Sequence, residues 1–176
     1  YPDHPLLRAP GRGSTVVEKR GMKLGVLQVM GRVFMDALDC PFRAAEKEVE
    51  KLDGVGVSCI LIDFHGEASS EKQAFAFFMD GRASAVVGSH AHVQTADERI
   101  LAGGTAAITD VGMCGCFDSV IGVKKEISIE RFLTKRPKKY EPAEGPGGYG
   151  AVLIDIDEHT GRSRSIKRFR ETVIKA

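Results

Sequence analysis

The chain has 176 residues, 43% of them hydrophobic and 28% charged, with a formal net charge of +1. That length and apolar content suit one globular domain with a sizeable core, and they exclude a disordered chain, a collagen-like repeat and a disulfide-stapled miniprotein. No apolar run approaches the roughly 18 residues of a membrane span, the opening residues lack a signal-peptide pattern, and four cysteines (40, 59, 114 and 116) are few, so a soluble, cytoplasmic protein with no membrane partner is expected.

The near-zero charge hides a gradient. Residues 1–123 carry 12 Lys and Arg against 16 Asp and Glu, and residues 124–176 carry 13 against 8. The basic segment is expected to be solvated surface, with phosphate, RNA or an acidic partner as the alternative. Three stretches follow: a lead-in loop and strand (1–22), a middle region of strands and helices (23–123), and the basic segment with a terminal hairpin (124–176).

In chain order, STVVEKRGMKLGVLQVMG reads as a hairpin turning at KRG, and its second arm, apolar on both faces, suits a central strand. FRAAEKEVEKLDG places Ala44, Ala45, Val49 and Leu52 at helical spacing, with Gly54 as a stop. VSCILIDFH is a buried strand. Ser69 or Ser70 can cap a helix whose predicted apolar stripe is Ala74, Phe75, Phe78 and Met79. SAVVGSH and GTAAITDVG are short strands, YEPAEGPGG is loop by composition, and GYGAVLIDIDEHTGRSRSIKRFRE turns back on itself at HTG.

The polar residues that follow the middle strands share a pattern. His65 and Glu67 follow the first, Ser89, His90 and His92 the second, and Asp110 the third. In an α/β sheet the carboxyl ends of parallel strands share one edge, so these groups should converge there. A lone histidine is usually a hydrogen-bonded structural residue. A His-Ala-His pair joined by a third strand-end histidine favours a metal, because neutral imidazole is a common ligand and Asp63, Glu67, Asp97 and Asp110 stand ready to orient the rings. Cys114 and Cys116 are too close for an ordinary zinc knuckle and read as loop thiols; a structural zinc shared with His90 and His92 is the minor alternative. Lys72 and Arg82 read as surface partners of Glu71 or Asp80 before phosphate ligands. Lys124, Lys125, Arg136, Lys138 and Lys139 lack the aromatic or helical motifs of nucleic-acid recognition, which leaves that contact open.

The stretch IDFHGEASSEKQAFAFFMDGRASAVVGSHAHVQTADERIL, followed by GGTAAITDVGMCG and DSVIG, with VMGRVFMDALDCPF upstream, resembles the YmdB family of bacterial metallophosphoesterases in the calcineurin-like superfamily. The resemblance runs from about Leu7 to the terminal hairpin. It implies an α/β/β/α sandwich, of which this chain is the C-terminal half, and a centre of two divalent ions, iron or manganese before zinc. His65 and His90 match ligands of one ion and His92 a ligand of the other. The implied activity is hydrolysis of a small phosphodiester, a 2',3'- or 3',5'-cyclic nucleotide.

The family's remaining motifs, an early Asp, a Glu-Asn and an Asn-His carrying the catalytic histidine, have no counterpart here; the chain contains no asparagine. The bridging Glu and the catalytic His are therefore expected in an N-terminal half supplied in cis or in trans, and the 176 residues alone are expected to be inactive. Substrate-binding residues are not assigned, and a homo-oligomer is a further expected partner. The alternative is a non-catalytic module that keeps the half-fold and binds RNA or protein.

Overall fold

The computed structural model describes residues 11–173; residues 1–10 of the lead-in expected at 1–22 lie outside them. Strands β1 (Ser14–Lys19) and β2 (Met22–Met30) form the expected antiparallel hairpin. Its two-residue turn places Arg20 and Gly21 at φ 54° and 80°, the left-handed pair that matches strand twist. β3 (Cys59–His65), β4 (Ala85–Ser89) and β6 (Ala106–Ile108) extend β2 as parallel neighbours. The two-residue β5 (Arg99–Ile100) closes the far edge antiparallel to β6, giving the order β1-β2-β3-β4-β6-β5.

Helices α1 (Pro41–Asp53) and α2 (Ser69–Phe78) pack on one face of this sheet. α1 buries Pro41, Ala45, Val49 and Leu52, while Ala44 is exposed, one position off the expected stripe. Gly54 closes the helix at φ −60°, and the left-handed turn falls to Gly56. In α2 the buried face is Lys72, Phe75, Ala76 and Met79; Ala74 and Phe78 face outwards. A hydropathy reading passes over this stripe because its first member is a lysine. The N-cap is Ala68, without a side-chain cap, so neither serine plays that part.

Two further elements carry little periodic signal. The helix α3 (Lys125–Thr134) buries only Ile127 and Ser128 and exposes Ile129, Phe132 and Leu133. The three-residue strand β7 (Cys114–Cys116) occupies the expected thiol loop, with both cysteines free. β8 (Gly147–Ile156) begins inside the expected loop at 140–148 and pairs with β7 and β9 (Ser163–Val173) in a second, antiparallel sheet. β9 lies against β5 and β6, joining the two sheets.

Strand alternation divides the large sheet. Ile60, Ile62 and Phe64 of β3 enter the helix-covered core, while Cys59, Leu61, Asp63 and His65 lie on the opposite face, half-buried. Leu24 and Val26 of β2, in register with Cys59 and Leu61, are half-buried there too. The helix layer thus covers one face of β2 and β3, and the apolar residues on the other are only half-buried.

Phe75 ties helix to sheet, 4.4 Å from the Phe64 ring and 5.3 Å from that of Phe42, centroid to centroid. It is fully buried. Phe75→Ala should lower unfolding free energy by about 3–5 kcal/mol, measured by urea denaturation.

Candidate metal centre

The site is built at the carboxyl ends of β3 and β4, where parallel register sets His65 beside Ser89. Because Phe64 points into the core, His65 must point to the other face, together with Asp63. The segment after β4 bends at once: His90 and His92 have φ of 124° and 63°. The segment therefore turns, and the two rings go to different partners.

The hydrogen bonds assign the protons. Ser89 Oγ lies 2.6 Å from Asp63 Oδ1 and donates to it, since a carboxylate only accepts. Its oxygen, 3.0 Å from His65 Nδ1, then accepts the ring N–H. His90 Nε2 lies 2.9 Å from Glu67 Oε2 and donates its proton there. His92 Nδ1 donates to the Ile121 carbonyl at 2.9 Å. In the neutral rings this leaves lone pairs on His65 Nε2, His90 Nδ1 and His92 Nε2.

Two of those lone pairs face each other. His65 Nε2 and His90 Nδ1 are 3.1 Å apart, with the rings edge to face at a centroid distance of 4.9 Å. Two acceptor nitrogens at that distance need a proton or a cation between them. Burial, the largest cause, holds His65 below the usual imidazole range, which works against a proton on that ring. Ligands about 2.1 Å from a metal at tetrahedral or octahedral angles sit about 3.0–3.4 Å from one another, so the pair fits a shared ion. Among the described residues no group of three or more His, Cys, Asp or Glu converges on one point. The facing pair is a partial ligand set.

The other expected carboxylates divide. Asp63 and Glu67 orient rings as expected. Asp97 instead accepts from Thr95 and Thr109; burial pushes its carboxyl up, and these bonds outweigh that and lower it overall. Asp110 binds backbone N–H groups and Lys72, whose Nζ is 2.9 Å from Oδ2. Lys72 is thus no surface partner of Glu71 or Asp80. Arg82 does form a surface pair, with Glu46. Ser89, which links Asp63 to His65, has no role in the sequence reading; its place one strand over from a DFH histidine was the available signal. His92 borders a cavity of about 140 Å³ walled by Met113, Phe117, Ile121 and Arg170. A larger hollow of about 470 Å³ lies at the opposite end of the strands, between Arg20 and His159, away from these histidines.

The mixed α/β fold that gathers these imidazoles at the edge of a parallel sheet is shared by solved structures. The chain superposes on the crystal structure of a phosphatase from Mycoplasma pneumoniae with a TM-score of 0.83 at 32% identity, over 94% of this chain and 59% of that one. A hypothetical protein from Thermus thermophilus gives 0.88 at 41% identity, over 94% and 64%. The YmdB-like protein family model matches residues 4–169, and the chain belongs to that family. A Bacillus subtilis (strain 168) relative named 2',3'-cyclic-nucleotide 2'-phosphodiesterase is 47% identical over 159 residues, 90% of this chain and 60% of its own length. The chain thus spans about 60% of the length of the relatives it matches.

The lowered proton affinity of His65 has a sign in stability. The unfolded chain, with an imidazole near 6.5, binds more protons than the folded one, so stability is present above about pH 6.5 and is lost as pH falls through the folded value. The melting temperature of metal-free protein should fall between about pH 7 and pH 5. His65→Gln should flatten that slope; an unchanged slope would assign it to another group.

Proposed function

We propose that this chain is the histidine-bearing part of a metal-dependent phosphodiesterase that hydrolyses cyclic nucleotides. The observation that carries the reading is the pair of facing ring nitrogens, His65 Nε2 and His90 Nδ1, each left with a lone pair by its other hydrogen bond. His65 and His90 would hold one divalent ion, iron or manganese before zinc, and His92 would contribute to a second. Bound divalent ions of this kind polarise phosphoryl oxygens and make a bound water acidic near neutral pH. The chain's own groups fix the donors. Asp63 through Ser89 holds His65 with Nδ1 protonated, Glu67 holds His90 by Nε2, and the Ile121 carbonyl holds His92 by Nδ1. The name of the Bacillus subtilis relative supports a cyclic nucleotide as the substrate class.

The catalytic histidine and bridging carboxylate are supplied, in this reading, by the further length that the relatives have. The half-buried Leu24, Val26 and Leu61 on the sheet face away from the helices support a covering segment, in cis or in trans. Alone, the chain should self-associate and bind a hydrophobic dye; a dye-negative monomer in light scattering would favour an autonomous module.

Calorimetric titration of the 176 residues with manganese should show about one weakly held ion, since three imidazoles are few ligands. Binding should be lost in a His90→Ala, His92→Ala double variant. The 176 residues alone should not hydrolyse bis-p-nitrophenyl phosphate or cyclic nucleotides. Joined to the remaining length of the relatives, the protein should turn over with manganese or iron, and His65→Ala, His90→Ala or His92→Ala should each cost about 10³-fold or more. A joined protein that stays inactive yet binds RNA would support the regulatory module instead.

A further inference from the structure

We propose that the buried Lys72–Asp110 ion pair is the positioning device of the His90–Ala91–His92 turn, and through it sets the affinity for metal. The inference rests on the metal reading above. Lys72 and Asp110 are 3% and 1% exposed at their side chains, and Nζ meets Oδ2 at 2.9 Å. A charge pair this dry is costly to desolvate and is a weak reason for stability by itself. Its other bonds show what it holds. Oδ2 also accepts the Ala91 N–H at 2.8 Å, between the two histidines, and Oδ1 accepts the Gly112 N–H at 2.9 Å. The Asp110 backbone is locked in turn: its N–H donates to Thr95 Oγ1 at 2.9 Å, and its carbonyl accepts the Thr95 N–H at 3.0 Å.

One carboxylate therefore joins α2, the His-Ala-His turn and the loop that follows β6. The turn needs such an anchor, because His90 and His92 both sit at positive φ, a conformation that side chains other than glycine adopt at a cost. The ladder is shaped to let the lysine through. A Cβ at Gly88 would stand 3.1 Å from Lys72 Cδ and 1.8 Å from the Thr109 carbonyl oxygen, so only glycine lets helix, strand and ion pair coexist here. Lys72 lies on the helix side of the sheet and His65 on the other. The ion pair thus couples the rigid core to a turn that is otherwise a loop.

Replacing both charges by groups of similar volume separates positioning from stability. In the Lys72→Met, Asp110→Asn double variant no unpaired charge is buried, so folding should be kept. Ala91 and Gly112 donate to opposite oxygens of the carboxylate, and in the amide one of those oxygens is replaced by an NH2 donor, so the pair of N–H anchors cannot both be kept and the turn is loosened. In the full-length protein, calorimetric manganese affinity should fall about 10–100-fold, the range for lost support of metal ligands, while the melting temperature of the metal-free protein moves by only a few degrees. Unaltered affinity in that variant, with affinity lost in His90→Ala, His92→Ala, would overturn this inference alone. Unaltered affinity in the histidine variant would overturn the metal reading and this inference with it. Hydrogen exchange of the unaltered protein gives a test independent of any variant: the Ala91 amide should be strongly protected, and free exchange there would refute the anchor.

Discussion

The period of two along β3 is the constraint from which the site follows. Phe64 and His65 are consecutive, so one must enter the core if the other is to leave it. Phe64, with Ile60 and Ile62, meets the helix layer through Phe75, and that contact is dense enough to allow no slip of register. A slip by one residue would bury His65 and expose Phe64. The parallel pairing with β4 then sets Ser89 beside His65, where it can reach back to Asp63.

On that frame the imidazoles are held by hydrogen bonds that each occupy one nitrogen and leave the other. The three means differ: a serine relay to a carboxylate for His65, a direct carboxylate for His90, and a backbone carbonyl for His92. They share a result, since each partner can take a proton only from the ring nitrogen it faces. The consequence is two acceptor nitrogens 3.1 Å apart in a half-buried place. Such an arrangement is unfavourable without a positive charge, and it concentrates affinity for a cation at one point.

The same molecule is unevenly covered. Helices α1 and α2 hide one face of the large sheet, whereas the face that carries His65 has apolar neighbours only half removed from water. The less covered side is the side that carries the candidate ligands. Whatever completes the ligand set from that direction would bury Leu24, Val26 and Leu61 at the same time, so apolar burial and metal binding would reinforce each other.

The strands and the first two helices were legible in the amino-acid sequence because they alternate or repeat with the period of their own geometry. The short ones were not: β5, β7 and the amphipathically blurred α3 have too few buried side chains to leave a pattern. The histidines at the strand ends could be picked out from composition and position, and the motif order carried the family. What they face could not, because partners such as Ser89 for His65 lie on another strand and are chosen by register. Lys72 is the sharpest case. Read along the chain it is a charged residue on a surface helix; only the packing of α2 over Gly88 brings its ammonium to Asp110, where low solvent access turns a solvated charge into a fixed strut. Local periodicity determines which elements form, and tertiary structure decides which side chains share a proton, because hydrogen bonding depends on distances that sequence separation does not encode.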